Sequence, residues 1–121
     1  MHLRGEQSGG TAALVELALP AGGSGPPLHI HPLHGEGFYV LEGEMTFQVG
    51  DEVIAAAAGS FAFAPRGIPH TLANLGGRDA RILVLCAPAG FEPYFERLAA
   101  GIVEGPPSDQ ATTVGPPLAR P

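Results

Sequence analysis

Glycine and proline cut this chain into short apolar runs, and that punctuation limits what it can fold into. Its 121 residues include 18 glycines and 13 prolines. Such a content by itself would suit disorder, but runs such as "FYVLEG" and "ARILVLCA" have the apolar patterning of packed strands. Extended segments are expected at 11–19, 28–32, 37–42, 44–49, 52–56, 60–64, 70–75 and 80–87, with glycine, proline, Asn74 or Asp79 between them. The first stops at Pro20 and the glycine-rich "PAGGSGPP". Short strands with turn signals every eight to twelve residues or so point to an all-β sandwich or barrel, of which the jelly roll is one form. With 45% apolar residues, the chain can close one core and is expected to be a single domain.

One helical pattern stands apart. In "FEPYFERLAAG", Phe91, Tyr94, Phe95 and Leu98 fall at i, i+3, i+4 and i+7, and Gly101 can end the turn. A short C-terminal helix near 91–100 is therefore expected across the outside of the barrel, so that residues 1–103 form one unit. The remainder, 104–121, is rich in proline and glycine and poor in apolar side chains. It buries too little by itself to offset its ordering entropy, and is expected to be a loose tail or to lie along a partner subunit.

Charge removes several classes of function. The formal net charge is −6 and the six basic residues are scattered arginines, so no basic stripe exists to neutralise phosphates. Nucleic acid and membrane are not expected as partners. The opening "MHLRGEQSGG" lacks an apolar signal region, and a cytoplasmic location is expected. The lone Cys86 alternates with Ile82 and Val84 and reads as an inert core thiol. The absence of lysine rules out Schiff-base chemistry, and no nucleophile elbow, dinucleotide fingerprint or P-loop occurs.

What remains is "HIHPLHGEG", residues 29–37, which holds three of the five histidines. A strand turns alternate side chains to one face, so His29 and His31 share a direction suited to two metal ligands. Glu36 follows the "PLHG" turn and can oppose them as a carboxylate donor. His70 heads its own strand after a proline–glycine turn. His34 lies inside the first turn, either as a base near the pocket mouth or as a solvated turn residue.

These residues carry a resemblance to the cupin superfamily of small β-barrels. The pattern G-x5-H-x-H-x4-E-x6-G is matched by Gly23, His29, His31, Glu36 and Gly43, and G-x5-P-x-G-x2-H-x3-N by Gly59, Pro65, Gly67, His70 and Asn74. Fifteen residues separate the two motifs. The resemblance runs from about residue 11 to about residue 100 and implies a cupin-type antiparallel β-barrel, a double-stranded β-helix or jelly roll. It also implies that His29, His31, Glu36 and His70 bind one divalent transition metal. Donor chemistry agrees: three imidazoles and a carboxylate suit Fe, Mn, Co, Ni, Cu or Zn, whereas calcium wants more oxygens.

The "HIHPLHGEGFYVLEGEMTF" region resembles the quercetinase-like branch of small bacterial cupins. That implies a metal-dependent dioxygenase acting on a flavonol-like or other enolisable aromatic compound, with Glu36 taking the proton of the substrate hydroxyl. An apolar pocket lined from among Phe38, Val40, Met45, Phe47, Phe61, Phe63 and Leu72 would favour such a small aromatic or apolar molecule. Two alternatives stand beside it. One is a non-redox metal-dependent isomerase or cyclase of secondary metabolism in which His34 shuttles protons, and the other a non-catalytic barrel that binds a small molecule or metal. Barrels of this kind commonly pair, so a homodimer is expected.

Overall fold

The structure is a computed structural model that describes residues 2–23, 25–89 and 112–118. Among the described residues a single 3-10 turn, Gly5–Gln7, precedes nine strands. They are β1 (Ala13–Leu19), β2 (Pro27–Ile30), β3 (Gly35–Glu42), β4 (Glu44–Val49), β5 (Glu52–Ala57), β6 (Phe61–Ala64), β7 (His70–Ala73), β8 (Ala80–Ala87) and β9 (Thr112–Pro117).

All pairings are antiparallel and make two sheets, β1-β8-β3-β6 and β5-β4-β7-β2-β9. This is the expected all-β jelly-roll barrel, and the alternation of the strands explains it. In β8 the side chains of Ala80, Ile82, Val84 and Cys86 are buried while their neighbours are half-covered. On the facing sheet Met45 and Phe47 of β4 and Leu72 of β7 are buried too, so one core fills the space between the layers. Phe38 of β3 stacks on Phe47 across that space, ring centroids 5.2 Å apart.

The expectation for the apolar side chains divides cleanly. Phe38, Val40, Met45, Phe47 and Leu72 point inward; Phe61 and Phe63 of the edge strand β6 point outward and are about half exposed. The exposed pair is the reverse face of Ala62 and Ala64, as the two-residue period requires.

Two expectations concern the C-terminal region. The helix near 91–100 falls outside the described residues. Within the stretch read as a tail, Thr112–Pro117 forms β9 on the outer side of β2 of the same chain, with His29 opposite Thr113. The run "TTV" supplies β-branched residues, and the free edge of β2 supplies the unpaired backbone groups that proline-rich flanks could not satisfy alone.

The motif positions that are not candidate ligands hold the frame. Asn74, fully buried, donates Nδ2 to the carbonyls of Leu19 and Arg78 at 3.1 and 2.8 Å, and its Oδ1 accepts from Gly76 N at 3.1 Å. Its backbone N donates to Gly23 O at 2.9 Å, tying the last position of the second motif to the first position of the first. Gly67, at φ +82°, makes the turn before β7 and donates its N–H to His31 O at 2.9 Å. The turn that delivers His70 is thereby fastened to the strand end that delivers His31.

Candidate metal centre

His29 on β2 lies opposite His70 on β7, in register. His31 follows one residue beyond the end of β2, and Glu36 is the second residue of β3, between Ala64 of β6 and Cys86 of β8. Four expected ligands thus arrive from both sheets. All are buried, as is His34 of the turn between β2 and β3.

The side chains converge. His29 Nε2 and His31 Nε2 are 3.0 Å apart, His31 Nε2 is 3.0 Å from Glu36 Oε1, and His70 Nε2 is 3.5 Å from Glu36 Oε2. His34 Nε2 reaches the same Oε1 at 3.1 Å, so the reading of His34 as a solvated turn residue is not what the fold shows. Its ring lies against that of His31, centroids 4.2 Å apart and planes inclined by 30°. Nothing in a fixed motif marks that position. The available signal is the order of two residues, since a turn reading leucine then histidine exposes the leucine if the histidine is needed inside.

Hydrogen bonding fixes which nitrogens face the centre. His29 Nδ1 donates to Pro27 O at 2.7 Å and His70 Nδ1 to Ile68 O at 3.1 Å. A carbonyl only accepts, so each neutral ring keeps its hydrogen on Nδ1 and turns a lone pair inward from Nε2. One hydrogen on His31 Nε2 then cannot serve both His29 Nε2 and Glu36 Oε1. His70 Nε2 is a buried nitrogen with no hydrogen-bond partner. Converging acceptors with too few hydrogens are the donor set of a cation site, and the residues present fit a divalent transition metal. Two overlapping groups have the required closeness: His29, His31 and His70, and His31, His34 and Glu36, with ligand atoms within 4.8 Å of one another in each.

The electrostatics match that use. Burial lowers the pKa of His29 to about 4, against a smaller opposing effect of its bond to Pro27; the ring is neutral and available as a ligand at neutral pH. Burial by itself would raise the Glu36 carboxyl, but the imidazoles of His31, His34 and His70 that face it hold it well below the usual range. A buried carboxylate therefore stays ionised beside the imidazoles. Phe38 forms one apolar wall, its ring centroid 6.2 Å from that of His70. Cys86, opposite Glu36 on β8, is buried. No helix among the described residues is long and apolar enough to cross a membrane.

The chain is similar to known proteins. It is 36% identical over 70 residues to quercetin 2,3-dioxygenase of Bacillus subtilis (strain 168), a stretch that covers 58% of this chain and 20% of that protein. The chain thus spans about a fifth of the length of that relative. Among solved structures, a protein of Thermus thermophilus is 35% identical with a TM-score of 0.61, over 65% of this chain and 74% of the other. A predicted oxalate decarboxylase of Thermotoga maritima is 29% identical with a TM-score of 0.66, over 71% and 75% of the two chains. Residues 15–86 match the Cupin domain family, a span that runs from β1 to β8 and includes every one of the buried histidines and Glu36. With its two-sheet barrel and both histidine motifs in place, the chain belongs to the cupin family.

Proposed function

We propose that this cupin is a metal-dependent dioxygenase of the quercetinase-like kind, acting on a small flavonol-like or otherwise enolisable aromatic compound. The observation that carries this reading is the buried convergence of His31 and His70 Nε2 on the Glu36 carboxylate, with His29 Nε2 3.0 Å from His31 Nε2 and the Phe38 ring beside His70. The likeness to quercetin 2,3-dioxygenase supports it. His29, His31, Glu36 and His70 would hold the ion, which when bound supplies Lewis acidity and, if redox-active, a route for electrons to dioxygen. The chain's own part is to bind and deprotonate. Phe38 offers an apolar face to an aromatic ring, and Glu36 Oε1 takes the hydroxyl proton in a site where burial makes proton transfer sensitive to small displacements. His34 Nε2, on that same oxygen, steadies it.

A specific feature favours a second reading. The His34–Glu36 pair is a proton-transfer pair that needs no change of oxidation state, which suits an isomerase or cyclase. The readings separate by oxygen uptake. With the chain reconstituted with Fe, Mn, Co, Ni or Cu, a flavonol should consume dioxygen, and Glu36→Gln should slow turnover by about 10²–10⁴-fold while keeping some metal. No uptake with any of these metals removes the dioxygenase reading, and unchanged turnover in Glu36→Gln removes the base. Partners are part of the proposal: a homodimer, tested by light scattering.

A further inference from the structure

The turn between β2 and β3 does something unfavourable on its face. It exposes Leu33, 52% accessible, and buries His34, 4% accessible. Apolar side chains gain by burial and an imidazole loses its water, so the opposite arrangement would be the stable one unless the imidazole has polar work inside. The turn has little freedom to reverse this. His31 O is held by Gly67 N at 2.9 Å, and a Cβ on Gly35 would lie 2.8 Å from Phe63 Cζ and 3.3 Å from Ala64 O, so the backbone after His34 is pressed against β6.

Inside, His34 Nε2 meets an oxygen already engaged. Glu36 Oε1 lies between His31 Nε2 at 3.0 Å and His34 Nε2 at 3.1 Å. His31 therefore belongs to two donor groups, one completed by His29 and His70 and one by His34 and Glu36. Any point Oε1 vacates is within easy reach of His34 Nε2, whose ring is already stacked on that of His31.

We propose that His34 is an alternative metal donor that exchanges with the Glu36 carboxylate, so that an ion left by Glu36 is kept by four imidazoles. The proposal rests on the metal reading above and deepens it: a carboxylate that must leave an ion to take a substrate's proton needs something to replace it. In that exchange the neutral His34 ring carries its one hydrogen on Nδ1 in place of Nε2 and offers the Nε2 lone pair, the carboxylate carries away its charge, and no electron is transferred.

The test is metal binding rather than turnover. Cu(II) affinity, by competition with a chromophoric chelator, and the number of coupled imidazoles, by pulsed EPR, are measured for the wild-type chain, His34→Gln, Glu36→Gln and the double variant. Glu36→Gln is expected to keep its copper and show one imidazole more than the double variant. Adding His34→Gln to Glu36→Gln is expected to weaken copper binding by about tenfold or more, whereas His34→Gln in the wild-type background weakens it less. A His34→Asp change combined with Glu36→Gln, which offers a carboxylate from the turn, should recover much of the affinity. Circular dichroism confirms that each variant is folded, and the recovery distinguishes a lost donor from a damaged fold. Equal affinity and equal imidazole counts in Glu36→Gln and the double variant overturn the proposal while leaving the metal reading intact. Failure of the wild-type chain to bind copper overturns both.

Discussion

His29 and His70 face one another across β2 and β7, and each donates Nδ1 to the carbonyl two residues before it, Pro27 and Ile68. The same local device on two strands aims both Nε2 atoms into the barrel. Each ring is oriented by its own strand, before any ion arrives. Such backbone-anchored histidines lose little further entropy on ligation.

Replacing either should therefore act on affinity more than on fold. His29→Ala and His70→Ala are expected to lose the metal while keeping the far-ultraviolet spectrum of the barrel. Elemental analysis of the purified variants checks this, and full metal content in either would remove that residue from the ligand set.

Chelation should lower the melting temperature of the metal-loaded protein, because a ligand that binds only the folded state stabilises it. At a free metal concentration of about 100 times Kd the effect is about 2.7 kcal/mol. Differential scanning calorimetry with and without chelator reads it directly.

The metal-free protein should lose stability as the solution is acidified. His29 has its pKa lowered from 6.5 to about 4 by burial, so the unfolded chain binds this proton first and its contribution falls away between those values. Glu36, held low by its three histidine partners, adds a further loss as pH drops below the usual carboxylate range. Both signs agree. A melting temperature that rises from pH 7 to pH 4 would contradict them.

Asn74→Ala should be costly although Asn74 is not a candidate ligand. It removes from a fully buried position the side chain that bonds the Leu19 and Arg78 carbonyls and the Gly76 N–H, with an expected loss of about 2–3 kcal/mol in urea unfolding. Asn74→Asp should be no better, since a carboxylate cannot donate to two carbonyls. A loss below about 0.5 kcal/mol would mean that water replaces the side chain.

Most of this architecture was legible in the residues because it rests on periodicity. The inward set of β8 is written as Ala80, Ile82, Val84 and Cys86, and His29, His31, Glu36 and His70 are marked by the two cupin-like motifs. The paths that escaped depend on long-range contacts. Nothing local in "TTVGPP" says that it pairs with β2, because the information lies in the unpaired edge of a strand some eighty residues earlier. The burial of His34 escaped for a similar reason: turns tolerate either face, and the partner that His34 meets inside, Glu36, is supplied by the following strand.

The ninth strand gives the ligand frame an unexpected neighbour. Thr113 pairs with His29, and a Cβ on Gly115 would meet Leu28 Cδ2 at 3.0 Å, so the end of the described chain lies close against the strand that aims one of the imidazoles. A shortened chain that stops before Thr112 keeps every candidate ligand in its sequence, yet strips the cover from one of the strands that orient them. The amino acids needed to hold an ion and those needed to hold its holders are therefore not the same set, and the latter extend to the ninth strand.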